Sequence, residues 1–181
     1  TWTAMMNGAF LVNANGERFG DETTGYSEFA VKVIAQPESQ AWMIYDKAVH
    51  EKALPFADYQ QMVESGGIRW TDDVAGLASL IGCDEAAISA TLEGIANFGS
   101  GAAVDPLGRT LWPHDLEPPF TAIKVTGALF HTQGGLCVNE HANVLRGGKT
   151  IAGLYAAGGA AIGISGNGAS GYLSGNGLLS A

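Results

Sequence analysis

The sequence predicts an α+β fold, and three observations carry that expectation. Short branched and aromatic runs read as strands, a pair of capped amphipathic helices spans 71–101, and residues 150–181 contain no Asp, Glu, Lys or Arg at all. The 181 residues are 46% hydrophobic and 15% charged, where about 25% charge is usual for a soluble chain. Eighteen acidic side chains against nine Lys plus Arg give a net charge of −9. Without a basic stripe, that balance excludes sequence-independent binding to a phosphate backbone, so no nucleic acid is expected as a partner.

In chain order, GAFLVNANGERF places an apolar run before Asn15-Gly16, then Arg18 and Phe19, which predicts a β-hairpin. Over residues 27–35, Phe29, Ala30, Val33 and Ile34 recur at helical spacing until Pro37 ends the pattern. The run AWMIYD predicts a strand at 41–45, with two short helices after it. Thr71 precedes Asp72 and Asp73, Val74, Leu77, Ala78 and Ile81 share one helical face, and Gly82 closes the turn. A second helix is capped by Asp84 and carries Ile88, Leu92, Ile95 and Ala96 before ending at 97–101. Residues 102–120 hold four of the six prolines and read as a connecting loop, followed by strands near 121–126 and 151–157.

The uncharged closing stretch is interrupted by Gly, Ser and Asn too often for a membrane helix, which needs about 20 predominantly apolar residues. No membrane insertion is expected. Its glycines follow the strand-like IAGLYAA, where they let backbone approach a ligand closely; the alternative is a flexible tail. Cys83 and Cys137 have neither CxxC nor metal-ligand spacing, so they are expected to be free, buried thiols with no metal site. No basic stretch followed by an apolar run opens the chain, and there is no initiator Met; a fragment or processed piece, cytoplasmic in location, is expected.

GNGASG at 166–171 matches GxGxxG by letter, but a dinucleotide fingerprint needs a strand before it, a helix after it and an acid about 20 residues on. It is set aside on that ground. His131, in FHTQGGL, is either a structural histidine or an imidazole converging with backbone donors on an anionic or carbonyl oxygen. His50, His114 and His141 have polar neighbours and read as solvated surface groups. Glu22, Tyr26 and Arg109 are the remaining candidates for proton chemistry. Tyr26 could equally be an amphipathic residue at a helix start, and Arg109 a surface residue behind a turn made by Asp105 and Pro106.

Four segments, in this order, resemble the flavoprotein family of fumarate reductase, succinate dehydrogenase and 3-ketosteroid Δ1-dehydrogenase. They are GAFLVNANGERFGDE, TDDVAGLASLIGCDEAAISATLEGIANFG, PPFTAIKVTGALFHTQGGL, and IAGLYAAGG followed by GYLSGNGLLSA. The resemblance implies an FAD-dependent oxidoreductase acting on CH–CH groups. It also implies a substrate-capping domain over 1–120, then the returning segment of a Rossmann-like FAD domain over 121–181, with the amino-terminal half of that FAD domain missing from this chain.

Carried over residue by residue, His131 falls on the HTxGG histidine that binds a substrate carboxylate, with Thr132 and Gly134 beside it. Tyr26 stands where fumarate reductases place a proton-donating Arg, and a Tyr in this region is what the ketosteroid dehydrogenases use against the substrate. Tyr172 stands where an Arg grips the second carboxylate. Gly159 replaces the Glu of LYAAGE that touches FAD. Gly158, Gly159, Gly175, Asn176, Gly177 and Leu178 are the implied cofactor contacts, with GNGLL opening a helix toward the flavin pyrimidine. The implied catalytic set is Tyr26, His131, Glu22 as a relay, and Arg109. With both arginines replaced by tyrosines, the implied small-molecule substrate is an enone or monocarboxylate rather than fumarate. Two other functions stay open: a flavin-free cap or interaction module, and a subunit docking on an iron–sulfur or haem partner, for which this chain supplies no ligands.

Overall fold

The computed structural model describes residues 2–128, 134–166 and 168–179. It divides into two compact units, one running to Gly127 and the other from Ala128 onward. The division falls later than the boundary expected after residue 120, because the strand at Phe120–Thr126 is built into the first unit's sheet.

The first unit opens with α1 (Trp2–Met6), β1 (Phe10–Val12), α2 (Tyr26–Ile34) and β2 (Gln40–Tyr45). Next come α3 (Lys47–Ala53), α4 (Ala57–Glu64), β3 (Trp70–Thr71), α5 (Val74–Ile81), α6 (Glu85–Gly99) and β4 (Phe120–Thr126). Its four strands form an antiparallel sheet in the order β1-β2-β4-β3. Strand periodicity sorts the side chains. Leu11, Ala41, Met43, Tyr45, Ile123 and Val125 face one way and pack with Ala4, Met5, Phe29, Val33 and Val49 from α1, α2 and α3. Phe10, Val12, Trp42, Ile44, Phe120 and Ala122 face the other way, onto Leu77, Ala78, Ile81, Ile88 and Ile95 of α5 and α6. Because both faces are covered, AFLV and AWMIY read as continuous apolar runs instead of alternating ones.

The expected hairpin at GAFLVNANGERF is not formed as two strands. Asn13 closes a tight turn, its Oδ1 accepting from the N–H of Asn15 at 2.9 Å and of Glu17 at 3.2 Å, but β1 pairs with β2 instead, Leu11 opposite Met43. Residues 17–19 leave the sheet because Arg18 turns inward to buried carboxylates. The two helices expected after residue 45 are α3 and α4. Asp46 caps α3 through Val49 N–H at 3.0 Å, and its other oxygen meets His114 Nε2 at 2.9 Å. Gly82 ends α5 at φ 82° and Asp84 caps α6 by accepting from Ala86 N–H, as expected, while the cap of α5 is Asp73, accepting from Gly76 N–H, and not Thr71 two residues ahead of it.

The second unit holds the hairpin β5 (Asn143–Arg146) and β6 (Lys149–Tyr155), then α7 (Asn176–Leu179). A parallel bridge joins Leu136 to Ala161, with Leu136 N–H donating to Ala160 O at 2.9 Å and Ile162 N–H to Leu136 O at 2.9 Å. Gly135 is required there, since a Cβ would run into the backbone of Ala161. Cys83 is half-buried and Cys137 is exposed, which corrects the expectation of two buried thiols. Among the described residues no single helix is long and apolar enough to cross a membrane.

Candidate functional site

Glu22 and Arg109, named separately from the sequence, meet in the first unit. Both are almost fully enclosed, at 1% and 2% exposure. The Glu22 carboxylate accepts from four N–H groups: Leu11 N–H at 3.1 Å, Arg18 Nε at 2.9 Å, Arg18 Nη2 at 2.8 Å and Arg109 Nη1 at 3.2 Å. Two carboxylate oxygens offer about four acceptor sites, so this carboxylate is saturated. Asp105 completes the group, taking Arg18 Nη1 at 2.9 Å and Arg109 N–H at 3.3 Å.

Arg109 also reaches three backbone carbonyls, donating from Nη1 to Ala9 O at 2.8 Å, from Nη2 to Met5 O at 3.1 Å and from Nε to Leu111 O at 2.9 Å. The indole of Trp112 lies against both guanidiniums, with ring-centroid distances of 4.8 Å to Arg18 and 4.1 Å to Arg109. Burial lowers the pKa of Arg109 below its ordinary value, opposed by Glu22. Burial acts the same way on Arg18, but Glu22 and Asp105 outweigh it and hold that guanidinium above its ordinary value. Two cations and two anions thus neutralise each other inside the unit. The turn expected at DPLGR is present, Asp105 accepting from Leu107 N–H at 3.0 Å, but Arg109 is buried and not on the surface.

Tyr26 lies at the first turn of α2, 51% exposed, with the Trp2 ring edge-on at 5.8 Å. Gly25, at φ 142°, turns the chain into that helix. His50 and His114 are not simply solvated, as their polar neighbours suggested. His50 Nδ1 is 2.7 Å from Tyr59 Oη, which is 2.8 Å from the buried Tyr45 Oη, and His114 contacts Asp46. His141 is exposed. His131 and Thr132 lie outside the described residues.

In the second unit, the cofactor candidates converge. Gly158 and Gly159 form a single turn of 3-10 helix at Gly158–Ala160 that packs beside α7, and a Cβ on Gly177 would stand 3.7 Å from Gly159 N. Asn176 is buried and accepts from Ile164 N–H at 2.8 Å, and its amide occupies the place of a Cβ on Gly163. Around Gly134, Gly159 and Gly175 no described atom lies within 4 Å of where a Cβ would project. Leu178 is 84% exposed and Tyr172 is half-buried just after the turn at Ala169–Gly171. Gly166 N–H donates to Gly171 O at 2.8 Å, and among the described residues the helix that follows is the four-residue α7. Among the described residues no cluster of three His, Cys, Asp or Glu could hold a metal ion.

A family profile described as FAD binding domain matches residues 3–178. The chain belongs to the FAD-binding domain family. A similar family member is a probable fumarate reductase of Shewanella frigidimarina, 32% identical over 155 residues, which cover 83% of this chain and 26% of that protein. Among solved structures, the open conformation of a flavocytochrome c3 fumarate reductase matches 99% of this chain and 31% of its own, at a TM-score of 0.76 and 29% identity. A 3-ketosteroid-Δ4-(5α)-dehydrogenase of Rhodococcus jostii RHA1, in complex with 4-androstene-3,17-dione, matches 97% of this chain and 36% of its own at 0.66 and 27%. The chain spans only 26–36% of the length of these relatives.

The residues present fit the cofactor of the family. Asn176 and Gly163 lock the segments around 158–164 and 174–179 into one uncharged piece, in which the glycine backbone at 158–159 and 175–177 lies beside exposed Ile162, Ile164 and Leu178. That surface suits a flat, uncharged ring system with a hydrogen-bonding edge. The local signal was the glycine spacing after a strand. For the buried network, RFGDE carried an i,i+4 pair of Arg18 and Glu22, but nothing local connected it to Asp105, Arg109 and Trp112.

Proposed function

We propose that the chain is part of an FAD-dependent oxidoreductase that forms or reduces a C=C bond next to a carbonyl or carboxylate. The observation that carries this reading is the match of 99% of the chain to a flavocytochrome c3 fumarate reductase at a TM-score of 0.76. Bound FAD supplies the hydride chemistry, and the protein binds, orients and moves the proton. Gly158, Gly159, Gly175, Asn176, Gly177 and Leu178 hold the cofactor edge. His131, with Thr132 and Gly134, binds the activating carbonyl or carboxylate oxygen, and Tyr172 contacts the substrate. Tyr26 donates or accepts the proton at the neighbouring carbon. An amino-terminal FAD-domain half completes the cofactor site, and the enzyme works in the cytoplasm.

A second reading, an enone dehydrogenase of the ketosteroid type, is favoured by a specific observation. The two arginines that hold Glu22, Arg18 and Arg109, are committed to Glu22, Asp105 and backbone carbonyls, so neither is available to clamp a second carboxylate. The deciding experiment is the visible absorption spectrum of the full-length protein beside that of the 181-residue chain, then anaerobic turnover with fumarate and with a cyclic enone. A flavin spectrum in the full-length protein alone, with loss of turnover in Tyr26→Phe and His131→Ala, is the expected result. No flavin in either overturns the oxidoreductase reading. Turnover of fumarate as sole oxidant overturns the enone preference.

A further inference from the structure

Trp2 and Tyr26 open α1 and α2, two helices that pack on the same sheet face through Ala4, Met5, Phe29 and Val33. Helix α1 has five residues, and a helix that short is unstable in isolation. Tyr26 is reached through the loop after Glu22, which is stiffened by Asp21 Oδ1 accepting from Thr23 N–H at 2.8 Å and from Thr23 Oγ1 at 2.6 Å. Both segments end on one side chain. Arg109 holds Met5 O near the end of α1, Ala9 O in the following turn, and the Glu22 carboxylate at the root of the Tyr26 loop. Arg18 and Leu11 N–H fix the same carboxylate from the other side.

We propose that Arg109 and Glu22 are positioning residues which, by clamping α1 to the root of the Tyr26 loop, hold the Trp2 ring edge-on against Tyr26 and so aim the phenol for proton transfer. The saturated Glu22 carboxylate is then a fastening point and not a relay for the proton. A planar fork explains the choice of arginine: its donors leave in fixed directions toward three carbonyls and a carboxylate, which a single ammonium cannot span. The consequence for rate rests on the assignment of the proton to Tyr26; the consequence for geometry does not. Misplacing a proton donor by a fraction of an ångström lowers turnover while leaving substrate binding nearly intact.

The test uses the full-length enzyme with its FAD, labelled with 3-fluorotyrosine. The Tyr26 fluorine line is assigned by its loss in Tyr26→Phe. In the unsubstituted enzyme that line is displaced by the Trp2 ring current, and it is expected to return to the position of an exposed tyrosine in both Trp2→Leu and Arg109→Lys. Turnover in both variants falls on the order of tenfold with KM little changed, and neither substitution lowers it further in the Tyr26→Phe background. If Arg109→Lys does not fold, Glu22→Gln takes its place with the same expectation. A fluorine line unmoved by Arg109→Lys or Glu22→Gln overturns the clamp. Turnover losses that multiply with Tyr26→Phe overturn the aiming role. Full activity in Tyr26→Phe overturns the proton assignment instead, and the fluorine line alone then judges the clamp.

Discussion

At the scale of single residues, the side chains that look catalytic by type divide by their surroundings. Glu22 and Arg109 spend their hydrogen-bonding capacity on each other, on Arg18 and on backbone, while Tyr26 is half-exposed beside an indole. His50 shows how a local environment sets a titration. Burial lowers its pKa from the ordinary 6.5, with Lys47 acting in the same sense and Glu51 against it. The unfolded state therefore binds the proton more readily than the folded one, so the neutral ring's contribution is complete above about pH 6.5 and is lost as pH falls through the folded value. Thermal unfolding between about pH 7 and pH 5 is expected to lose stability more steeply in the natural sequence than in His50→Gln; parallel curves would remove His50 from the acid sensitivity. None of this was legible from residue types, because the partner of His50 is Tyr59 on the next helix and the partners of Glu22 come from both ends of the first unit.

At the scale of elements, what could be read was what is encoded locally. The caps Asp73 and Asp84, the stripes of α5 and α6 and the closing Gly82 lie within a few residues of the turns they control, so these helices were visible beforehand. Gly82 is left-handed at φ 82° with open space around it, so a Cβ there costs only backbone strain. Gly82→Ala is expected to destabilise the first unit by about 1 kcal/mol, seen as a lower urea midpoint at unchanged slope. A drop several times larger would mean that the α5–α6 corner tightens further than this geometry requires. The hairpin was misread because Asn15-Gly16 does make a turn, but the strand that pairs with β1 is supplied by residues 42–44. The two-residue β3, the five-residue α1 and the four-residue β5 were missed because segments that short carry no measurable period.

At the scale of the whole molecule, the two units differ in how they bury apolar surface. The first encloses a sheet between helices on both faces. In the second, Val144 and Ala161 are the buried hydrophobic residues among those described, while Leu154, Tyr155, Ile162, Ile164 and Leu178 are exposed. An exposed apolar set of that kind marks a contact surface. The 181-residue chain is expected to bind an apolar dye and self-associate, and the pair Leu154→Lys with Ile164→Lys should reduce both while leaving the unfolding midpoint of the first unit in place. Unchanged dye binding would locate the sticky surface elsewhere. The sheet order β1-β2-β4-β3 has a consequence for synthesis as well. Strand β3 joins the sheet only through β4, and Glu22 gains its deepest partner only when residue 109 has been made. Before residues 109–126 are made, Glu22 therefore holds only Arg18 and Leu11, and β2 has no neighbour on its β4 side.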